Sequence, residues 1–237
     1  MYSPIFIKID FNYSLIQKIS QFLSLFSIKI RYNLFKIGIK HMNYKFFFHL
    51  TSPFSNFHPA KFEYKDLTFV SNEQFMMYSK AKNFHDEDSA QKILDINQDQ
   101  IAKEFLEGKY SREDIVNDKV LADQWNKLMM KVKKLGRGVQ NYDEAYWESR
   151  RYKIVLFGVR LKFTQNPELK DILMATGNSR MIETNPYDKV WAAGLSEYDC
   201  KRIPEEKWPG RNLLGKIFDE LKIEFSASFE PSKKLKP

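Results

Sequence analysis

The hydrophobic pattern from residue 42 onward predicts helices joined to a few short strands. The apolar run Phe46–Phe48 predicts a buried strand. Two half-apolar segments, 61–64 and 67–70, are separated by two polar residues, which predicts a hairpin. Residues 180–183 predict a further strand. The predicted class is therefore α+β, predominantly helical with a small sheet.

The longer segments have helical periodicity and typical helix ends. Ser71 or Asn72 caps a helix that runs to about Lys82, and Glu73 lies in the first turn, where the helix dipole favours an acid. Further helices are predicted at 86–95, 99–107, 118–134 (ending at Gly136), 143–165, 167–177 and 212–222. A loop rich in proline, glycine and aromatic residues spans 184–211.

Composition describes a globular chain without a metal or disulfide framework. The chain has 237 residues, of which 43% are apolar, enough for one domain with a buried core. Its single cysteine, Cys200, fits a reducing compartment, so we expect a cytoplasmic protein. The four histidines form no close His/Cys pair of the kind that binds zinc, so we expect no metal and no cofactor.

The net charge of +8 lies at the two ends of the chain. Residues 1–41 carry six basic residues and one acid, and residues 232–237 carry three lysines, which leaves the intervening residues neutral. Composition therefore does not require a DNA-binding surface. No apolar run reaches 18 residues without a charge, so we expect no membrane partner.

These differences predict three regions. Residues 1–41 form an atypical extension, 42–225 the globular domain and 226–237 a flexible basic tail. Two interpretations of the extension compete. It is either sequence upstream of a true start at Met42, which we prefer, or an acid-poor targeting segment.

The first candidate site is the pair Glu73 and Lys80. Lys80 is seven positions after Glu73, which places them about 20° apart around a helix and two turns apart along it. That spacing is too long for a tight ion pair but leaves room for a sugar between two long side chains. The alternative is a solvated pair on an exposed helix face.

The second candidate is the segment from Glu183 to Gly194. Asp188 and Trp191 lie three residues apart in a loop where the backbone can approach a ligand. Tryptophan can stack on a flat base, and aspartate can orient a water or hold a ribose hydroxyl. The alternative is that Trp191 fills the core and Asp188 caps a turn.

Two weaker candidates could bind phosphate. Asn212 stands at the predicted start of the last helix, whose free N–H groups suit an anion, and Arg211 adds a charge. Arg137 lies between two glycines and is a further candidate. The alternative at Asn212 is an ordinary helix cap beside a surface arginine.

The order of several motifs carries a family resemblance. They are Pro53-Phe54-Ser55-Asn56-Phe57, Glu73-Gln74-Phe75-Met76 with Lys80-Ala81, Leu135-Gly136-Arg137, Trp147, Lys162-Phe163, Leu173 with Thr176-Gly177, Glu183-Thr184-Asn185-Pro186 with Asp188 and Trp191, and Trp208-Pro209-Gly210-Arg211-Asn212-Leu213-Leu214-Gly215. In this order, over about residues 44–223, they resemble the YbiA-like (NADAR) family.

The resemblance implies a YbiA-like fold and an N-glycosidase that cuts the bond between a base and ribose C1. Such enzymes act on phosphoribosylamino-pyrimidine intermediates of riboflavin synthesis, or on ADP-ribose attached to guanine. The expected partner is therefore a phosphoribosyl or ADP-ribosyl small molecule, or ADP-ribosylated nucleic acid. The implied catalytic residues are Glu73, Lys80, Asp188 and Trp191, and the substrate-binding candidates are Asn56, Arg137, Glu183, Arg211 and Asn212.

The chain departs from the family in three places. It has Trp191-Ala192-Ala193-Gly194 where the family often has Trp-Gly-x-Gly, and Glu183-Thr184-Asn185-Pro186 for Glu-Ala-Ser-Pro. The region near 93–130 is also longer than in short members. Two other classes compete: a non-catalytic module that binds ADP-ribose or a nucleotide, and a nucleic-acid binder that uses the basic ends.

Overall fold

A computed structural model describes residues 43–227, so the predicted extension 1–41 and nearly all of the predicted tail lie outside the described residues. The strands are β1 (Tyr44–Phe47), β2 (Phe62–Tyr64), β3 (Leu67–Phe69) and β4 (Arg180–Glu183). The helices are α1 (Asn72–Asn83), α2 (Glu87–Leu94), α3 (Gln100–Leu106), α4 (Arg112–Asn117), α5 (Lys119–Arg137), α6 (Glu144–Thr164), α7 (Pro167–Ala175), α8 (Glu197–Cys200) and α9 (Leu213–Ala227). Short 3-10 turns cover Asp95–Gln98 and Glu205–Lys207.

The predicted α+β class, mostly helical, is confirmed, but the strands form two separate pairs. β2 and β3 form the predicted antiparallel hairpin. β1 pairs in parallel with β4, so that Phe47 lies opposite Glu183 although most of the domain separates them in sequence. Of the predicted buried run Phe46–Phe48, only Phe47 is fully buried. This parallel pair places the loop after β1 beside the loop after β4.

Four helices differ from the sequence prediction: α4 and α8 were not predicted, and α5 and α9 extend beyond their predicted ends. Helix α4 begins with a capping box in which Ser111 and Asp114 bond each other's backbone N–H groups. Helix α5 does not end at Gly136 but continues to Arg137, with Gly138 as its cap. Glycine is needed at position 136 for packing, because a Cβ there would lie 1.9 Å from Met77 Sδ. The close approach of α1 to α5 therefore explains why position 136 is a glycine.

The core surrounds α1, which packs against α2, α5 and α6. Below it lies a cluster of phenylalanine rings, in which Phe218 is 5.3 Å from Phe54 and 5.4 Å from Phe163 between ring centroids. Edge-to-face geometry in both pairs is the favoured arrangement of aromatic rings. Among residues 43–227, no helix is long and apolar enough to cross a membrane.

The buried side chain of Lys162 supports the loop that precedes the hairpin. Its Nζ donates to the carbonyl oxygens of Pro53 (2.8 Å) and Ser55 (3.0 Å). The next residue, Asn56, accepts from Glu73 N through its carbonyl and from Asn72 Nδ2 through its side chain. These bonds attach the loop to the first turn of α1 and so position Glu73.

We expect Gly158→Ala to destabilise the fold. A Cβ at Gly158 would lie 2.4 Å from both Asn72 Oδ1 and Phe75 Cδ1, so α6 would be forced away from α1. Overpacking of this kind costs about 1–3 kcal/mol of unfolding free energy. The melting temperature should therefore fall by several degrees in a thermal scan.

The matched control is Gly138→Ala, whose Cβ would meet nothing closer than Leu135 O at 3.5 Å. This variant should change the unfolding free energy by less than about 0.5 kcal/mol. Equal melting temperatures for the two variants would contradict the packing of α6 on α1 described above.

Candidate active site

One cavity of about 740 Å³ lies between α1, α5, the start of α6 and the loops that follow β1 and β4. Seven of the nine residues predicted as site residues line it: Asn56, Glu73, Lys80, Arg137, Glu183, Asp188 and Trp191. Pockets of 300–1,000 Å³ are typical of small-molecule sites. The cavity therefore has the size of a ligand site and contains residues from distant parts of the chain.

Glu73 is a buried carboxyl at the N-terminal end of α1. The residue is 3% exposed, and its Oε1 has no hydrogen-bond partner among the described residues. Burial raises the pKa of Glu73 to about 7, against the opposing charge of Lys133, and Asp188 raises it further. Glu73 can therefore exchange a proton near neutral pH.

Glu183 is a second carboxyl of the same kind, at the end of β4. The residue as a whole is partly exposed, but its Oε2 is buried and has no hydrogen-bond partner in residues 43–227. Burial raises the pKa of Glu183 to about 8, and the charges of Asp188 and Glu73 add to the effect. The cavity thus contains two carboxyls that retain protons at unusually high pH.

Lys80 lies two turns after Glu73 on the cavity side of α1, and it is buried rather than solvated. Its Nζ donates to Gly136 O at 2.8 Å, in the last turn of α5, and lies 4.1 Å from the ring centroid of Tyr142. Burial lowers the pKa of Lys80, although Glu144 opposes the shift. A larger share of neutral amine is therefore present than at an exposed lysine.

Asp188 and Trp191 both line the cavity, and Asp188 holds the backbone turn that carries Trp191. Asp188 Oδ1 accepts from the backbone N–H groups of Val190 (2.9 Å) and Trp191 (2.8 Å). The carboxylate therefore closes the turn that carries the tryptophan, while it also faces the two buried carboxyls. The partly buried indole remains available as a flat apolar wall.

Arg211 and Asn212, the other two predicted site residues, do not line the cavity. Arg211 Nη2 is 2.6 Å from Glu148 Oε1 in an ion pair. Asn212 is buried and links the start of α9 to β4, since it accepts from Glu183 N and donates to Met181 O.

The N-terminus of α9 is also occupied by other bonds. The N–H groups of Leu213 and Leu214 donate to the carbonyls of Val190 and Trp191. A helix N-terminus binds an anion only through N–H groups that lack another partner. The prediction of a phosphate site at Asn212 is therefore not retained.

One wall of the cavity was not predicted from the sequence. Helix α5 contributes Asn126, Met130 and Lys133 in addition to Arg137, and α6 contributes Trp147 and Arg151. The i, i+4, i+7, i+11 spacing from Asn126 to Arg137 was a readable signal, because it defines one helix face. Within residues 43–227 no cluster of three or more His, Cys, Asp or Glu side chains could hold a metal ion.

The fold and site define a helical α+β protein with a polar, carboxyl-containing cavity for a small ligand. The family model described as "NADAR domain" matches residues 44–226. The chain therefore belongs to the NADAR domain family.

Individual relatives agree with this assignment. The chain is 35% identical over 176 residues to N-glycosidase R617 of Acanthamoeba polyphaga mimivirus, covering 72% of this chain and 86% of that protein. It is 27% identical to protein irg-1 of Caenorhabditis elegans, covering 75% and 77%. The NMR structure of the Escherichia coli protein YbiA matches with a TM-score of 0.53 at 20% identity, covering 78% of this chain and 86% of that one. At that identity the likeness supports the fold alone.

We expect the contribution of Glu73 to the unfolding free energy to fall as pH rises from about 4.5 to about 7. In this interval folded Glu73, with a pKa near 7, retains a proton that the unfolded chain, with a pKa near 4.5, has lost. Through this residue rising pH favours unfolding, by up to about 1.4 kcal/mol per pH unit for one proton. His58, Lys162 and Glu183 add their own slopes to both proteins, so the comparison is the difference: Glu73→Gln should gain unfolding free energy relative to the unmodified protein as pH rises, in urea denaturation at pH 5, 6, 7 and 8.

The control is Glu63→Gln, which changes an exposed glutamate in β2. It should keep the slope of the unmodified protein. Parallel pH dependences for Glu73→Gln and the unmodified protein would show that Glu73 ionises normally in the folded state.

Proposed function

We propose that this protein is an N-glycosidase that hydrolyses the bond between a base and ribose C1 in a phosphorylated ribosyl substrate. The observation that carries the proposal is the convergence of Glu73, Lys80, Asp188 and Trp191 on one cavity. The name of the mimivirus relative, an N-glycosidase, supports the same reaction class. The groups in the cavity supply each chemical requirement of this reaction in turn.

The departing base takes the electrons of the C1–N bond and needs a proton, while positive charge develops on the ribose ring. Glu183, with a pKa near 8, is the stronger candidate for the proton donor at neutral pH. Glu73, with a pKa near 7, supplies a carboxylate that stabilises the positive ribose. The charge of an ionised Glu73 raises the pKa of Glu183, so one carboxyl can keep its proton while the other carries the charge, which suits this division of roles.

Lys80 is the candidate nucleophile. Its neutral amine attacks C1 as the C1–N bond breaks, and opening of the ribose ring then gives a Schiff base that water hydrolyses. The lowered pKa of Lys80 supports this role. In the alternative role, the charged ammonium binds a ribose oxygen or phosphate, and water activated by Glu73 attacks C1.

Trp191 and Asp188 complete the proposed site. The Trp191 ring offers a stacking surface for the base or for adenine. Asp188 holds the turn through one oxygen and can use the other for a ribose hydroxyl. The two proposed substrate types are a phosphoribosylamino-pyrimidine and ADP-ribose attached to guanine in nucleic acid.

We expect Glu73→Gln and Lys80→Ala each to lower kcat by at least about 100-fold, because both remove a group that acts on C1. The assay is mass-spectrometric detection of ribose 5-phosphate or ADP-ribose. The substrates are a phosphoribosylamino-pyrimidine and an ADP-ribosylated guanine oligonucleotide. Release from one of them identifies the substrate branch.

The matched control is Lys82→Ala, which removes an exposed lysine from the same helix. It should retain full activity. Binding of ADP-ribose without release from either substrate would replace the enzyme with a non-catalytic binding module. Affinity for unmodified nucleic acid that falls steeply with salt would favour the nucleic-acid-binding class.

The role of Lys80 is tested with borohydride. If Lys80 is the nucleophile, reduction during turnover should inactivate the enzyme and add the mass of the reduced ribosyl group to the peptide that contains Lys80. Sustained turnover with no adduct would assign the attack to water and leave Lys80 as a binding residue.

A further inference from the structure

Helix α5 presents one continuous face to the cavity, and this face ends in two cations. Asn126, Met130, Lys133 and Arg137 all line the cavity. Lys133 and Arg137 are four residues apart, so their Cβ atoms are neighbours at about 5–6 Å on the helix surface. Lys133 is half-buried and Arg137 is exposed.

These two cations differ from the other cations of the site because their charges are not used within the protein. Arg151 forms ion pairs with Glu144 and Glu148, and Lys80 donates to Gly136 O. Within residues 43–227, Lys133 and Arg137 make no ion pair and no side-chain hydrogen bond. The contact recorded for Lys133 is with the Phe57 ring, at 5.8 Å from the centroid.

The cations also face the reactive carboxyls across the cavity. The charge of Lys133 lowers the pKa of both Glu73 and Glu183, and the charge of Arg137 lowers the pKa of Glu73, in opposition to burial. Within residues 43–227 no salt bridge joins these cations to Glu73 or Glu183, whose buried Oε1 and Oε2, respectively, have no hydrogen-bond partner. A ligand that fills the space between them would meet cations on α5 and carboxyls on α1 and β4.

We propose that Lys133 and Arg137 form the subsite that binds the phosphate of the ribosyl substrate. An arginine fork can bind two phosphate oxygens, and a neighbouring lysine adds a mobile point charge. One such pair fits either a single phosphate or two linked phosphates. Phosphate bound on α5 orients the ribose so that C1 points toward Glu73 and Glu183. This inference rests on the proposed function and deepens it by locating the phosphate.

The test measures binding of ribose 5-phosphate, ribose and ADP-ribose to the full chain by calorimetry. The variants are Lys133→Met, Arg137→Met and the double substitution. Each single substitution should weaken the binding of ribose 5-phosphate about 10-fold, and the double substitution should weaken it about 100-fold, since each removes a charged hydrogen-bond donor. Binding of ribose should not change. ADP-ribose tests whether the subsite takes one phosphate or two. If ADP-ribose binds more tightly than ribose 5-phosphate and loses more affinity in the double variant, the subsite holds a diphosphate.

The matched control is Lys134→Met, which removes one charge from the exposed side of the same helix. It should leave all three affinities unchanged, and melting temperatures verify that each variant is folded. The subsite is wrong if the double variant retains the affinity of the unmodified protein for ribose 5-phosphate. It is also wrong if the unmodified protein binds ribose 5-phosphate no better than ribose.

Turnover on the same preparations separates this inference from the proposed function. Base release with an unchanged KM in the double variant would overturn the subsite and leave the glycosidase intact. Phosphate-dependent affinity that is lost in the double variant, with no base release from either substrate, would support the subsite and overturn the glycosidase.

Discussion

Helix α1 carries polar and charged side chains into the interior, and the surrounding structure is arranged to satisfy them. Asn72, Glu73, Gln74 and Lys80 are each at most 9% exposed. Buried polar groups are costly unless they are hydrogen-bonded. Gln74 accordingly bonds Val70 N and Ile93 O, and Lys80 bonds Gly136 O. Elements far apart in sequence must therefore meet at this helix.

That satisfaction is incomplete at the cavity, as it also is at Asn72 Oδ1 and His58 Nε2 elsewhere in the interior. Glu73 and Glu183 each retain a buried oxygen with no hydrogen-bond partner in the described part of the chain. Leaving a buried carboxyl oxygen without a partner raises its pKa, because burial disfavours the charged form. The cost in stability is offset by the aromatic core beneath α1 and by the bonds of the other polar residues. Unsatisfied carboxyl oxygens with raised pKa values that line a cavity are typical of functional sites.

The parallel pairing of β1 with β4 gives this arrangement its geometry. It sets the register in which Phe47 lies opposite Glu183, and the loops beyond both strands then form adjacent walls of the cavity. Lys162 and Asn56 attach the first loop to α1, whereas Asn212 attaches β4 to α9. Asn212 is thus important for the position of Glu183 although it does not line the cavity.

Local sequence determined most of the helices, the hairpin and the placement of Glu73 and Lys80 on one helix face, because periodicity, capping and spacing act over a few residues. It could not determine that Gly136 continues α5, since that depends on contact with Met77. It could place Lys133 on one helix face with Arg137, but not indicate that this face meets the cavity or that the helix start at Asn212 is occupied. Burial, partner availability and pKa arise from contacts between distant segments, so only the tertiary structure decided them.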